Sequence, residues 1–302
     1  MNDDIIIIRY GEISLKSPYV RKYFESILLR NIKRALQMEK ISSSLRSERG
    51  RIFLTTNEMQ KATEIVSRIF GIVSLSQAIR TTASMHDMSR TAQQLMRKVL
   101  TKEKSFAIRV TRVGTHSFSS QDVAIHLGDD IVTATHASVD LTKPDIELFI
   151  EIRDENAFFF TEKIRGTGGL PSGTQGTLCA LIDHPVSLLA AWYLLRRGCT
   201  MVLINLNTSN DQAISSFLRH WYIDAEIVTI NQKTQLIQRI SSIATEKKCQ
   251  AIVTGHSLYE RKNPIPFLLD LKKTTAIPLL SPLIAMTNDE IKHHCEIKGI
   301  TL

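Results

Sequence analysis

Aromatic residues make up only 6% of this 302-residue sequence. No apolar run approaches the roughly 18 residues that span a bilayer. There are four cysteines, Cys179, Cys199, Cys249 and Cys295, with no CxxC pair and no zinc-like spacing. A disulfide framework or structural metal is therefore not indicated. Three of the four sit in or beside apolar segments, as small core residues do. Low-complexity tracts and internal repeats are absent. The start, MNDDIIIIRY, puts acidic residues before its apolar run, the reverse of a secretory signal. These absences predict a cytoplasmic globular protein with no membrane contact and no metal. What is present is ordinary: 43% hydrophobic and 23% charged residues, in a length suited to two or three domains of roughly 100–200 residues each. The formal net charge of +8, with a pI near 9.3, favours a polyanionic partner or an acidic surface as partner.

Residues 1–75 read as a small α/β unit. Ile5–Ile8 and Arg51–Thr55 are strands, and Arg21–Met38 is a helix with Phe24, Ile27, Leu28, Ile32 and Leu36 at helical spacing. A polar turn at Ser47–Gly50, a second helix at Lys61–Phe70 and an extended Ile72–Ser76 complete a ferredoxin-like α+β order. Residues 76–166 read as a second unit. It has helices at Met88–Leu100 and Asp122–Thr135, an alternating strand at Ser105–Arg112, and strands Ile146–Arg153 and Ala157–Glu162 around the turn Asp154-Glu155-Asn156. On the alternating strand, Phe106, Ile108 and Val110 face one way and Arg109 the other. Arg112, His116, Ser119 and Ser120 follow in the turn, offering cations and hydroxyls to phosphate and 2′-OH groups. Residues 173–302 alternate apolar strands (Leu178–Ile182, Met201–Leu206, Ala225–Ile230, Ala251–Thr254, Ala276–Leu280) with helices (Ser187–Arg197, Asp211–His220, Thr234–Lys247, Asn288–Lys298). That pattern predicts a doubly wound parallel sheet.

The centre of the chain is GTGGLPSGTQGTLCALIDHPVSLLAAWYLLRRG, residues 166–198. A Gly/Pro/Ser/Thr linker leads into an apolar strand and the loop Asp183-His184-Pro185-Val186. Ser187 is placed to cap the next helix, which ends with Arg196, Arg197 and an αL stop at Gly198. A strand, tight turn and helix opening a βαβ unit is where α/β proteins hold a nucleotide phosphate.

The linker GTGGLPSGTQG with the helix ending YLLRRGC resembles the tRNA 4-thiouridine synthetases. IIIIRYGEISLKS is similar to their N-terminal segment over RYGEISLK, where Arg9 and Lys16 are candidate phosphate contacts. FAIRVTRVGTHSFSSQDVAIHLG with IELFIEIRD looks like a THUMP domain, the RNA-binding module of that family. The resemblance thus implies a ferredoxin-like unit, a THUMP domain and an adenine nucleotide alpha-hydrolase-like domain. It also implies tRNA as partner and RNA contacts at Arg9, Lys16, Arg109, Arg112, His116, Ser119, Ser120, Arg153, Lys163 and Arg165.

The same family carries a pyrophosphatase loop of the form SGGxDS, through which ATP adenylates a tRNA uracil before sulfur displaces AMP. This chain has DHPVS there, one residue shorter, matching only at Ser187. Proline removes a backbone donor, histidine adds bulk, and Asp183 puts negative charge where phosphate belongs. A second segment, AIVTGHSLYERKN, resembles the family's TGDSLGQVASQ, with His256 at the acidic position and Tyr259 and Glu260 replacing Gly and Gln. PLLSPLIAMTNDEI looks like RPLIGMxxxEI. The sequence stops before the position of the family's sulfur-bearing cysteine and shows no rhodanese-like segment, and Cys295 reads as packing. The degenerate nucleotide site is therefore expected at Asp183, His184, Ser187, Thr254, Gly255 and His256, with ATP doubtful as cofactor. The expected role is tRNA binding in or near uridine thiolation, with a separate ATP- or sulfur-handling protein as a further partner and a homodimer left open. Two alternatives stand beside it: a divergent enzyme using Asp183, His184 and His256, and a non-catalytic RNA-binding or assembly module.

Overall fold

The computed structural model describes residues 3–231, 234–260 and 263–301. The chain starts with β1 (Asp3–Tyr10) and α1 (Pro18–Met38), then β2 (Ser44–Glu48), β3 (Arg51–Thr55), α2 (Met59–Ser67) and β4 (Ile72–Thr82). It continues through α3 (Met85–Met96), β5 (Ser105–Val113), α4 (Ser120–Thr135), β6 (Ser138–Val139), β7 (Ile146–Arg153), β8 (Asn156–Phe160) and β9 (Ile164–Arg165). Two compact units share this path. One takes Met1–Arg9, Lys40–Ser67 and Ser74–Arg165; the other takes Tyr10–Glu39, Arg68–Val73 and Gly166–Leu302.

The first unit is a mixed sheet ordered β2-β3-β1-β4-β8-β7-β5-β6, with β9 pairing on β4. β1 runs antiparallel to β3, setting Ile6 opposite Leu54 and Ile7 opposite Phe53. β5 lies parallel to β7, setting Ile108 opposite Leu148, and β7 and β8 form a hairpin turning at Asp154 in the left-handed region (φ 51). Met88, Ala92 and Met96 of α3 and Val123, Leu127 and Ile131 of α4 bury against Phe106, Leu148, Ile150 and Phe159. One apolar stripe of each helix therefore faces this sheet. β2 was not expected. It is an edge strand whose residues are exposed or half-buried, so it carries no apolar alternation to read. α4 begins earlier than expected because Ser119 closes a capping box with Asp122. Ile125 of α4 points away from this core and is 56% exposed.

The second unit holds β10 (Thr177–Ile182), α5 (Ser187–Leu195), β11 (Thr200–Asn205), α6 (Asp211–His220), β12 (Glu226–Thr229) and α7 (Leu236–Glu246). After these come β13 (Ile252–Val253), α8 (Ile265–Thr274), β14 (Leu279–Leu280) and α9 (Asn288–Ile297). Its sheet is parallel and ordered β12-β11-β10-β13-β14. Alternation along β10 sends Leu178, Ala180 and Ile182 into a core with α5, α6 and α9. Cys179 and Leu181 enter the opposite core with α7 and α8. Both faces are covered, which explains the unbroken apolar strands. Phe70, Trp192 and Trp221 form an aromatic cluster in the first core, with centroids 5.5–5.7 Å apart. α8 was missed, because its FLLDLKKT run has no clean apolar period and Pro264 and Pro266 flank its start. All four cysteines are buried.

Because β10 is flanked by β11 on one side and β13 on the other, the strand order reverses between β10 and β13. The loops after these two strands therefore open into the crevice where such sheets bind ligands.

Candidate phosphate loop and nucleic-acid interface

The loop after β10 is closed on itself. Asp183 Oδ1 accepts the backbone N–H of His184 at 3.1 Å and the hydroxyl of Ser187 at 2.5 Å. The Val186 N–H points at His184 Nδ1, 3.3 Å away. The N–H groups of Ser187 and Leu188 go to the carbonyls of His184 and Pro185 at 2.9 and 3.0 Å. Pro185 has no N–H to give. From His184 to Leu188 every backbone donor is therefore already spent within the turn. Ser187 is not the N-cap expected from sequence. Val186 occupies that position in helical conformation, and the Ser187 side chain reaches back to Asp183 instead. There its hydroxyl donates to the carboxylate in a charge-assisted bond.

The loop after β13 meets it. His256 Nε2 stands 3.7 Å from Asp183 Oδ2, and its ring lies 5.3 Å from that of Phe267. His256 Nδ1 is buried without a hydrogen-bond partner among the described residues. Gly255 is jammed against α5, since a Cβ there would come within 2.5 Å of Ser187 Cα. Thr254, fully buried, shares a hydrogen bond of 2.8 Å with Ser281. Beside Asp183 opens a cleft of about 480 Å³, lined by Asn207, Thr208, Asn231, Leu206, Ile230 and Leu236. Sequence reading missed these amides; the polar run Asn207–Asn210 straight after an apolar strand was the signal available. Asp183, Ser187, Thr254, Gly255 and His256 thus converge, while the His184 imidazole is turned to the backbone. Part of the AIVTGHSLYERKN segment, Arg261 and Lys262, lies outside the described residues. No group of three or more His, Cys, Asp and Glu among the described residues is arranged to hold a metal ion.

A triphosphate does not fit this loop. Binding one needs converging free N–H groups, as helix N-termini and nests supply. Here those donors are paired, and the nearest side chain is an anion. The residual helix dipole is worth about 0.3–1 kcal/mol, too little to offset a carboxylate in contact.

The expected RNA contacts scatter in character. Arg9 is 11% exposed and bound to Glu151 at 2.6 Å, and Arg51 reaches the other oxygen at 3.1 Å. Arg153, 10% exposed, completes the ring 3.9 Å from that oxygen. Arg9 and Arg153 therefore neutralise a buried carboxylate, with about a tenth of each side chain left exposed. Burial pushes the Glu151 carboxyl up, but Arg9 and Arg51 outweigh it and hold it below its ordinary range. Burial lowers Arg9 against the pull of Glu151, although an arginine stays charged throughout.

Arg109 is half-exposed and paired with Glu147 at 2.8 Å, so its charge is shared. Ser119 is committed to the cap of α4, with Ser120 its first residue. His116 bridges Arg112 (3.2 Å) and the carbonyl of Asp154 (2.7 Å), leaving Arg112 exposed at the strand end. Lys163 stands 3.7 Å over the Phe149 ring, which stacks on Phe160 at 5.4 Å. Burial, helped by Arg9, pulls Lys163 below its usual range. Arg109, Phe149 and Lys163 line a cleft of about 580 Å³ on this sheet. Lys16 and Arg165 are exposed.

Comparisons with known proteins agree over the whole length. A ThiI ferredoxin-like domain matches residues 5–76 and a THUMP domain matches 82–162. The thiamine biosynthesis protein (ThiI) family matches 211–299, a stretch that begins downstream of the loop at Asp183. The probable tRNA sulfurtransferase of Methanothermobacter thermautotrophicus is 32% identical, covering 96% of this chain and 83% of its own. The corresponding protein of Thermococcus kodakarensis is 30% identical over 95% of this chain and 86% of its own. PH1313 from Pyrococcus horikoshii superposes with a TM-score of 0.85 at 29% identity, covering 99% and 100% of the two chains. A 4-thiouridine synthetase solved with RNA and bound ATP shares the fold at a TM-score of 0.79 and 23% identity, over 98% and 85%. The fold expected from sequence, a ferredoxin-like part, a THUMP domain and a parallel α/β sheet, is the one found, and the chain belongs to the ThiI family of tRNA sulfurtransferases.

Proposed function

We propose that this chain binds tRNA and serves uridine thiolation without adenylating the RNA itself. The observation that carries the reading is the self-paired turn 183–188, where Asp183 and Ser187 occupy the place of a phosphate cradle. The THUMP domain, the exposed Arg112, Lys16 and Arg165, and relatives named for tRNA support the binding half. ATP activation and sulfur delivery then belong to a separate protein.

The test pairs two measurements on the purified chain. Thermal unfolding with ATP is expected to show no shift, whereas a ligand at 100 times its dissociation constant adds about 2.7 kcal/mol. Unmodified tRNA is expected to bind with affinity that falls steeply with salt. ATP stabilisation would overturn the first half and salt-independent or absent binding the second. A second reading is favoured by one contact: His256 against Asp183 at a strand-order reversal beside a cleft is acid–base geometry. Under it, cells deleted for the gene lose 4-thiouridine and regain it with wild type but not with Asp183→Ala or His256→Ala.

A further inference from the structure

Helix α1 presents two stripes. Its inner stripe, Phe24, Ile27, Leu28, Ile32, Ala35 and Leu36, is buried. Its outer stripe is Tyr19, Lys22, Tyr23, Ser26, Arg30, Lys33 and Gln37, all exposed. At about 100° per residue these seven side chains fall within an arc of roughly 100°, and they run for about 27 Å along the axis. No carboxylate lies on that arc. Glu25 is turned away and hydrogen-bonded by the Tyr10 hydroxyl. Lys22, Arg30 and Lys33 have no ion-pair partner among the described residues, unlike Arg34 on the flank, which pairs with Asp224 at 3.4 Å. Tyr19 is 86% exposed and Tyr23 is 53% exposed, while Leu15 just ahead of the helix is 87% exposed.

An exposed helix face is ordinarily laced with both signs of charge, and its large aromatics are normally tucked away. Here unpaired cations of one sign alternate with two aromatic rings one turn apart. Cations that track a backbone and rings on which bases stack are the two components of a single-stranded nucleic-acid surface. We propose that the outer face of α1 is a second RNA contact surface, taking the sugar-phosphate backbone on Lys22, Arg30 and Lys33 and an unpaired base against Tyr19 and Tyr23. This rests on the tRNA-binding reading above but uses residues that reading did not assign.

The experiment measures binding of fluorescently labelled tRNA by anisotropy across a salt series. It compares the wild-type chain, Lys22→Gln/Arg30→Gln/Lys33→Gln and Tyr19→Ala/Tyr23→Ala. All five residues are exposed, so both variants keep the wild-type unfolding midpoint, checked by circular dichroism. The cation variant is expected to flatten the slope of log affinity against log salt by about 2–3, since each phosphate contact contributes about 0.7–0.9. The tyrosine variant is expected to lose about fivefold or more in affinity with the slope unchanged, as stacking is not ionic. If wild type binds tRNA and both variants match it, the surface assignment fails. If wild type itself does not bind, the tRNA reading and this inference fall together.

Discussion

Arg9 and Glu151, 142 positions apart in sequence, are joined by two contacts of 2.6 and 2.7 Å in the first unit. Arg51 and Arg153 crowd the same carboxylate. Glu151→Gln keeps the shape but leaves three cations around a neutral amide, and stability should fall by about 3–5 kcal/mol in urea unfolding. The pH dependence has a defined sign. The folded carboxyl lies below its unfolded value of about 4.3, so its stabilising contribution is complete above that pH. It drains away as pH falls through the folded value. Wild type should therefore lose stability on acidification below about pH 4, and Glu151→Gln should lose less over the same range.

Gly255 lies where the second loop crosses α5. An added methyl would strike Ser187 Cα at 2.5 Å and Ser187 Cβ at 2.8 Å, and the first of these is backbone that cannot swing aside. Gly255→Ala should destabilise by about 1–3 kcal/mol and raise hydrogen exchange in α5 and the turn 183–188. A wild-type unfolding curve would disprove the close packing.

Ser119 separates a structural role from an RNA role. As the cap of α4 its hydroxyl holds the Asp122 N–H at 3.1 Å, and Asp122 returns the bond at 2.8 Å. Ser119→Ala should cost about 1 kcal/mol of stability. At temperatures where both proteins are folded, its tRNA affinity should equal that of wild type. Weakened binding with unaltered stability would reverse the assignment.

Glu147 holds Arg109 at 2.8 Å, so the cation is partly neutralised where RNA would approach. Glu147→Gln should tighten tRNA binding several-fold at low salt and steepen its salt slope by about 0.7–0.9. Arg109→Gln in the same background should cancel the gain. Anisotropy titrations on wild type and the two variants decide it.

Periodic signals were legible. The apolar alternation of β5 and the stripe of α1 located those elements because one face of each is buried. The parallel sheet followed from strands buried on both faces. Long-range pairing was not legible. Nothing local to Arg9 or Arg153 announces Glu151, so two cations expected at a polyanion are spent inside the fold. At the loop, the residue types already spoke against a phosphate, yet the bond from the Ser187 hydroxyl back to Asp183 is a side-chain contact that spacing does not encode.

The division of the chain between the two units bears on how it is made. Tyr10–Glu39, which contains α1, belongs with Gly166–Leu302, while the residues on either side of it belong to the other unit. Asn31 and Arg34 of α1 hydrogen-bond carbonyls of Ser172 and Tyr222, partners that leave the ribosome much later. During vectorial synthesis these two side chains therefore emerge well before the carbonyls they bond, and the helix waits for residues 172 and 222 to follow. A fragment cut after residue 76 would carry α1 away from the Ser172 and Tyr222 carbonyls that Asn31 and Arg34 bond.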